Sequence, residues 1–504
     1  MRDFLKSTDN RRLSLIELLL EADDWMTIAE LSKQLNSSTR ALKEDINFIR
    51  NDDPNIQIQT GPKGIRIISD YSTGIQDYYS GLLRETLPFQ ILEELFFNES
   101  LSMSELGSIL QSSPSTICRT IDQLNHHFSA YDCRIESNPC RFVGNERYIR
   151  NYYRAYFKEV STVFDWPFRD YEEYLFDEML NSVIAFLAKF SDLETDFVDF
   201  AFYDIVKTMI TVNIIRYKQG HLVDTRDEES LLFKAFFNAL KFFMLPKNIK
   251  EFEGLSITSE VVYQLFYPYL KKNIAIGIEP LNKLRKKNPT VNLSVSYLET
   301  YLRNFSEQME IDIPEFDWLI ASLYGTTYLE DDDPNAFYIL YNRNKLFAQH
   351  VKHQYPMVYE TLYTGIVEYR KRLNKPLHED KIYLLLYTLI TIWNNLLVEL
   401  HERYQKVSLL VISDGHFSHA KMIQNLLSFE LRQNVTIHTF HSPEISVDKL
   451  KASDYDLILS TFKLPDLKDK ATIIIEHYPR VHDIKRIEKL LNCIIEDKQQ
   501  QLTK

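Results

Sequence analysis

Hydrophobic and polar positions follow one order twice in the N-terminal third of the chain. Arg11–Ala22 (RRLSLIELLLEA) is an apolar run at helical spacing, and Thr27–Leu35 (TIAELSKQL) is a second. Thr27 is placed to cap that second run, with Glu30 completing a capping box. Asn36–Ser38 is a polar turn, and Thr39–Arg50 (TRALKEDINFIR) then buries Leu42, Ile46 and Ile49. Ile56–Ile68 alternates, turns at Gly61–Gly64 and alternates again, which predicts a hairpin.

The order returns with Leu87–Asn98 as a leading helix. Ser104–Leu110 sets Leu106, Ile109 and Leu110 on one face behind a Ser102/Glu105 capping box. Gln111–Pro114 breaks that helix, with Pro114 near the start of the next. There Ile117, Ile121, Leu124 and Phe128 form a buried stripe, and a strand–turn–strand ends in Phe142–Gly144. Helices followed by a hairpin, twice, predict two winged helix-turn-helix units.

From residue 160 to about 402 the pattern is helical. Loops are expected at Asp165–Pro167, His221–Glu229, Pro246–Gly254, Lys286–Asn292, Glu330–Pro334 and Asn374–His378. Tyr383–Leu400 is apolar enough to consider as a membrane span. It carries Thr388, Thr391, Asn394, Asn395 and Glu399, so it reads as a core or interface helix. Residues 199–221 and 379–401 share Tyr203/Tyr383, Thr208/Thr388, Ile210/Ile390, Thr211/Thr391 and His221/His401, a faint internal repeat. The tail changes period. Strands are expected at VSLLVISDG, Val435–Phe440, Tyr455–Ser460 and Thr472–Glu476, with helices at Ser418–Arg432 and His482–Leu491: a small α/β domain with a parallel sheet. The division is 1–70 and 71–158 for the winged units, 159–285 and 286–403 for two helical modules, and 404–504 for the α/β domain. The fold class is mainly α and multidomain.

Charge tempers a nucleic-acid reading. The chain has net charge −13, of which residues 1–158 carry −4. Residues 133–158, however, hold six Lys/Arg against two Asp/Glu, and phosphate contact is expected there and at helix N-termini. Scarce glycine and plentiful Phe and Tyr favour packed helices. The four cysteines form no CxxC pair, so neither a zinc site nor a disulfide framework is expected. Met1–Asn10 is polar and does not read as a signal peptide; the expected location is cytoplasmic. No P-loop, HExxH, dinucleotide fingerprint or nucleophile elbow is found, and no cofactor or metal is expected.

The second helix-turn-helix leaves Ser115, Thr116, Arg119, Thr120 and Gln123 outside its apolar stripe. Small hydroxyls permit close approach to a groove, and Arg119 and Gln123 can read bases. In the first unit Ser38, Thr39, Arg40 and Lys43 take that role, with Lys63 and Arg66 on the wing. Arg141 joins from the second wing. The second unit is favoured, because the local positive charge lies beside it.

This order of parts resembles the Mga/AtxA family of Gram-positive virulence regulators, and Val143–Arg150 (VGNERYIR) and Phe164–Phe168 (FDWPF) look like family stretches. The resemblance implies a DNA-binding activator of virulence or carbohydrate-related genes, a homodimer formed through its C-terminal parts. It also implies helical modules like the PTS regulation domain, which take phosphoryl groups from phosphocarrier proteins of the sugar phosphotransferase system. His221 and His401 are the candidate acceptors. The tail resembles an EIIB subunit but has Ser413–Ser418 (SDGHFS) where that subunit carries its phosphorylated cysteine. His416 is a remote alternative acceptor there. An RNA-binding antiterminator would begin with a small β-rich domain, and this chain begins with helices. A phosphotransferase component would need the missing cysteine. A structural scaffold would leave the two wings and polar faces unexplained.

Overall fold

The computed structural model describes residues 1–22, 25–52, 56–69, 75–162, 164–169, 171, 200–224, 258–270, 273–329, 338–404, 407–431, 435–467 and 470–502. The chain divides into two compact bodies. One is Met1–Glu299 with Ile320–Gln354 and Leu362–Thr388; the other is Thr300–Leu319 with Tyr355–Thr361 and Leu389–Lys504. The expected loops at Pro246–Gly254 and Glu330–Pro334, and most of His221–Glu229, lie outside the described residues.

The first winged unit consists of α1 (Ser7–Glu21), α2 (Ile28–Gln34), α3 (Thr39–Asp52), β1 (Ile56–Gly61) and β2 (Gly64–Ser69). Its core is Leu15, Ile16, Leu19, Leu31, Leu42, Ile46, Ile49, Ile58 and Ile65. Each such buried side chain contributes roughly 1.5–3 kcal/mol. The capping box of Thr27 and Glu30 forms as its spacing predicts. The wing is closed by Met26, which bridges Ile65 as a short third strand. Gly64 permits this, because at φ +131° a Cβ would collide with the Met26 carbonyl.

Helix α3 is locked to α1 by a buried carboxylate. Asp45 accepts from Arg11 Nε at 2.5 Å and from Arg12 Nε at 3.1 Å, with its side chain 2% exposed. Asp45→Ala would leave both guanidiniums half-buried without that partner. The expected loss is about 2–4 kcal/mol of first-unit stability, read by urea unfolding.

The second unit adds a helix that the sequence pattern did not reveal, α4 (Ile75–Glu85). It continues with α5 (Leu87–Phe97), α6 (Met103–Ile109), α7 (Pro114–Phe128), β3 (Cys133–Ser137), β4 (Cys140–Gly144) and α8 (Glu146–Val160). The same interval separates Thr27 from Ser102, Glu30 from Glu105, Asn36 from Gln111 and Ser38 from Ser113. These pairs are N-caps, capping-box glutamates, left-handed turn residues (φ 46° and 50°) and N-cap hydroxyls of the next helix. Two expectations fail here. Ile109 is 49% exposed, because α6 meets α7 at Leu106 and Gly107, and two positions beyond Gly107 the side chain points about 200° away. Thr120 is buried beside Ile121, and its hydroxyl donates to the Thr116 carbonyl at 2.9 Å.

The core of the second unit does not end with the unit. Phe89, Phe96, Phe128, Phe142 and Tyr153 share one cluster with Val212 and Ile215 of the helix Phe200–Lys218, and with Ile339 and Leu340. Three other helical expectations change. The Lys286–Asn292 loop contracts to Asn288, which ends one helix and caps the next through its side chain (Val291 N–H at 3.3 Å). Tyr383–Leu400 is broken between Glu379–Ile392 and Leu396–Tyr404, where the buried Trp393 indole donates to the Asp312 carbonyl at 3.0 Å. The equal helix ends of the faint repeat also dissolve, since His221 follows a helix and His401 lies within one. Asn374–His378 is a loop, as expected.

In the tail, β5 (Val407–Ile412), β6 (Val435–Thr439), β7 (Leu457–Ser460) and β8 (Ala471–Ile474) form an all-parallel sheet in the order β6-β5-β7-β8. Continuous apolar runs such as VSLLVI belong to strands covered on both faces. The helices Phe417–Glu430 and Val481–Leu502 pack the core of one face. A short helix, Val447–Lys451, lies on the other.

Candidate nucleic-acid interface and regulatory histidine

Each recognition helix is aimed by its cap and tied to its wing. Ser38 and Ser113 accept from the N–H groups of Ala41 and Thr116, both at 3.2 Å. At the other end, Arg50 donates to the Ile58 carbonyl at 3.2 Å, and Asn125 donates to the Ile135 carbonyl at 3.0 Å. The same interval separates Arg50 from Asn125. A side-chain bond thus ties helix to wing at the equivalent position in both units.

The candidates divide by exposure. Ser115, Arg119 and Gln123 are exposed on α7, and Thr116 is half-buried against Ser113. Thr120, buried on the same helix, is removed from the interface. On α3, Ser38, Thr39, Arg40 and Lys43 are all exposed, and Arg40 pairs with Glu44 at 3.1 Å. Lys63 is exposed at the first wing's turn. Arg66 is half-buried, bonded to Gln59 at 2.8 Å and lying over the Trp25 ring. Arg50 was not anticipated from sequence. It stands exposed between helix and wing, and its signal was only a basic residue at the end of an amphipathic helix.

The charge argument for the second unit does not survive folding. Arg134 and Arg141 share the Glu136 carboxylate at 2.9 Å each. Arg150 is buried on Glu146, Lys158 pairs with Asp204, Arg147 donates to Tyr263, and Arg154 also has a partner. Most of the basic stretch is thus taken up by internal ties, leaving about one net charge at the second wing. The first unit keeps Lys33, Lys43 and Lys63 exposed, together with Arg40, paired on the surface with Glu44, and Arg50, bonded to the wing, so its face is the more basic.

His221 stands at the end of the helix Phe200–Lys218. Gly220 (φ +88°) donates to the Tyr217 carbonyl and His221 N–H to the Arg216 carbonyl, a Schellman turn. The same turn recurs at Asn374 and Lys375, not at His401. His221 is less open than its position after a glycine suggested. Its side chain is 18% exposed, with Nε2 2.7 Å from Glu99 Oε2. Glu99 Oε1 accepts from Arg216 at 2.6 Å. Arg216, fully buried, also holds Glu146 through two nitrogens (3.0 and 2.8 Å) and donates to the Phe142 carbonyl of β4 at 3.0 Å. Arg150 bonds Glu146 Oε1 and the His221 carbonyl, each at 2.9 Å. Burial would raise the Glu146 carboxyl, but Arg216 and Arg150 hold it below the usual range. One ionic network thus links the histidine, α8 and the second wing. The side chain of His401 lies outside the described residues.

In the tail, Ser413 bonds His419 Nδ1 at 2.7 Å, and His416 stands exposed at the start of the helix Phe417–Glu430. Among the described residues no His, Cys, Asp and Glu cluster is placed to hold a metal ion, and no helix is long and apolar enough to cross a membrane.

Three family models match the chain in order. Residues 7–61 match the M protein trans-acting positive regulator (MGA) HTH domain, and residues 72–157 the Mga helix-turn-helix domain. Residues 176–396 match the MGA PRD domain. A protein described as a trans-acting regulator of Streptococcus pneumoniae is 28% identical over 484 residues, covering 94% of this chain and 95% of the relative. The anthrax toxin expression trans-acting positive regulator of Bacillus anthracis is 21% identical over 487 residues, covering 95% and 98%. The capsule synthesis positive regulator AcpA of the same organism is 24% identical over 321 residues, covering 60% and 62%. Both winged readers and the central helical region thus match one family in chain order; the chain belongs to the Mga/AtxA family and is a DNA-binding transcriptional activator, not an enzyme.

Proposed function

We propose that the chain activates promoters by docking α3 and α7 in the major grooves of duplex DNA. The first unit supplies most of the phosphate contact through Arg40, Lys43, Arg50 and Lys63. Ser38, Thr39, Ser115, Thr116, Arg119 and Gln123 supply close approach and base reading, while Arg66 and Arg141 steady the wings. The observation that carries this assignment is the internal pairing of the basic stretch 133–158 beside an open basic face on α3. The target genes would be virulence or carbohydrate-related, in keeping with the relatives named for capsule and toxin expression.

Regulation is assigned to phosphorylation of His221, with His401 as a second acceptor, by phosphocarrier proteins of the sugar phosphotransferase system. A phosphoryl group on His221 would set negative charge beside Glu99, in the loop that leads into α6, and so bias the second reader. The boundaries 1–70, 71–158, 159–285, 286–403 and 404–504 accompany this reading, with the α/β tail as an EIIB-like docking domain. Homodimerisation through the C-terminal parts is supported by the exposed Phe429, Tyr478 and Val481.

The test is duplex titration across salt concentrations. Arg40→Ala with Lys43→Ala is expected to lower the log–log salt slope by about 0.9 for each phosphate that the variant no longer neutralises. Arg119→Ala is expected to cost about 1–3 kcal/mol if it reads a base. An unchanged slope and affinity in the double variant would remove the first unit. A folded protein that binds no duplex at any salt would sink the interface.

A further inference from the structure

We propose that Glu99 is the positioning residue of the His221 phospho-acceptor and that it directs phosphoryl transfer to Nδ1. The inference rests on the reading of His221 as an acceptor. It goes beyond that reading by naming the attacking nitrogen and a residue of the DNA-binding unit that selects it.

The argument is one of donors and acceptors. Arg216 has no exposed side-chain surface and offers only donors, and Glu99 Oε1 accepts from it at 2.6 Å. A carboxylate gripped in this way presents its other oxygen, Oε2, as an acceptor. His221 Nε2, 2.7 Å away, must therefore carry the proton. In the neutral ring the lone pair then lies on Nδ1, for which the described residues supply no hydrogen-bond partner. The backbone that carries the ring is fixed: its N–H donates to the Arg216 carbonyl at 3.1 Å, and its carbonyl accepts from the buried Arg150 at 2.9 Å. The ring itself is held by Nε2 on Glu99. Glu99 is equally fixed, between that histidine and Arg216.

The step balances without a further base. Nδ1 attacks the phosphorus of a phosphohistidine on a donor protein. The donor's phosphoimidazole carries a proton on its other nitrogen; its N–P bond breaks, the electron pair returns to that ring, which leaves as a neutral imidazole, and the Nδ1–P bond forms. His221 keeps its Nε2 proton and becomes a cationic ring facing the Glu99 carboxylate. A buried carboxylate behind a catalytic histidine does the same work in hydrolase triads, by fixing the tautomer and stabilising the imidazolium. Glu99 touches neither donor nor phosphorus, so it positions and does not react.

The experiment uses the full chain and a phosphohistidine carrier protein charged from radiolabelled phosphoenolpyruvate. In the wild type, label is expected on His221, and phosphorus NMR is expected to place it on Nδ1. Glu99→Gln is expected to slow labelling at least about tenfold and to divide the label between Nδ1 and Nε2. A merely structural loss would leave the position of the label unchanged. Label on Nε2 in the wild type overturns the inference without any variant. Label on Nδ1 that is equally fast and equally selective in Glu99→Gln overturns the role of Glu99 alone. Undiminished labelling of His221→Ala removes the acceptor itself, and the inference with it.

Discussion

Glu146→Ala is expected to destabilise the second unit by about 3–5 kcal/mol, read by urea unfolding. The reason is what it leaves behind. Arg150 and Arg216 are 1% and 0% exposed, and Glu146 binds both. Neither guanidinium can shed its charge, and without Glu146 neither reaches water. Replacing the charged group together by apolar side chains of similar volume is expected to cost less than the single change, because no unpaired charge then remains. A loss below about 1 kcal/mol for the single variant would contradict this account. Since its carboxyl is held below the ordinary 4.5, the contribution of Glu146 is fully present above that pH and is lost as pH falls through the lowered value.

Glu159, at the other end of α8, is expected to behave in the opposite sense. It lies where the helix dipole disfavours an anion, whereas Glu146 lies where the dipole favours one. Burial pushes its carboxyl up to about 7, against three backbone N–H groups that favour the charged form. Those donors belong to Ile339, Leu340 at 2.9 Å and Tyr341 at 3.2 Å. Glu159→Ala strips the partner from all three, for an expected loss of about 3–5 kcal/mol. The pH sign follows from the raised value. The folded chain holds this proton more tightly than the unfolded one, so the contribution is present below 4.5 and declines as pH rises through about 7. The decline amounts to about 3 kcal/mol. Unfolding free energies measured across that window should fall with pH in the wild type and flatten in Glu159→Gln. A wild-type profile that does not fall there would contradict the assignment.

Both glutamates matter because the second reader has no core of its own. Its aromatic cluster runs on into Val212, Ile215, Ile339 and Leu340 and takes in Leu13 of α1, while the first unit keeps a separate cluster around Leu42 and Ile46. This gives the proposed division of labour between the two readers a physical basis: the first unit exposes more basic side chains, and the second shares its core with the central helices.

Local chemistry carried much of this from sequence alone. Capping boxes at Thr27/Glu30 and Ser102/Glu105, the Pro114 helix start, the hairpin alternation and the apolar strands of the tail depend on neighbours a few positions apart. Those interactions form the same way wherever the segment lies. The repeated winged units and the parallel sheet could be read for that reason. Three other features could not. Thr120 looked polar but is buried, because the stripe is set by what α7 packs against. The basic stretch after Cys133 looked like a phosphate surface, but its partners Glu136, Glu146, Asp204 and Tyr263 include residues far away in the chain. His221 looked open but meets Glu99, which is remote in sequence. Composition counts charges without saying which will be paired. Pairing is decided by long-range contacts, and so only the tertiary structure determined where the basic surface lies and which histidine nitrogen meets Glu99.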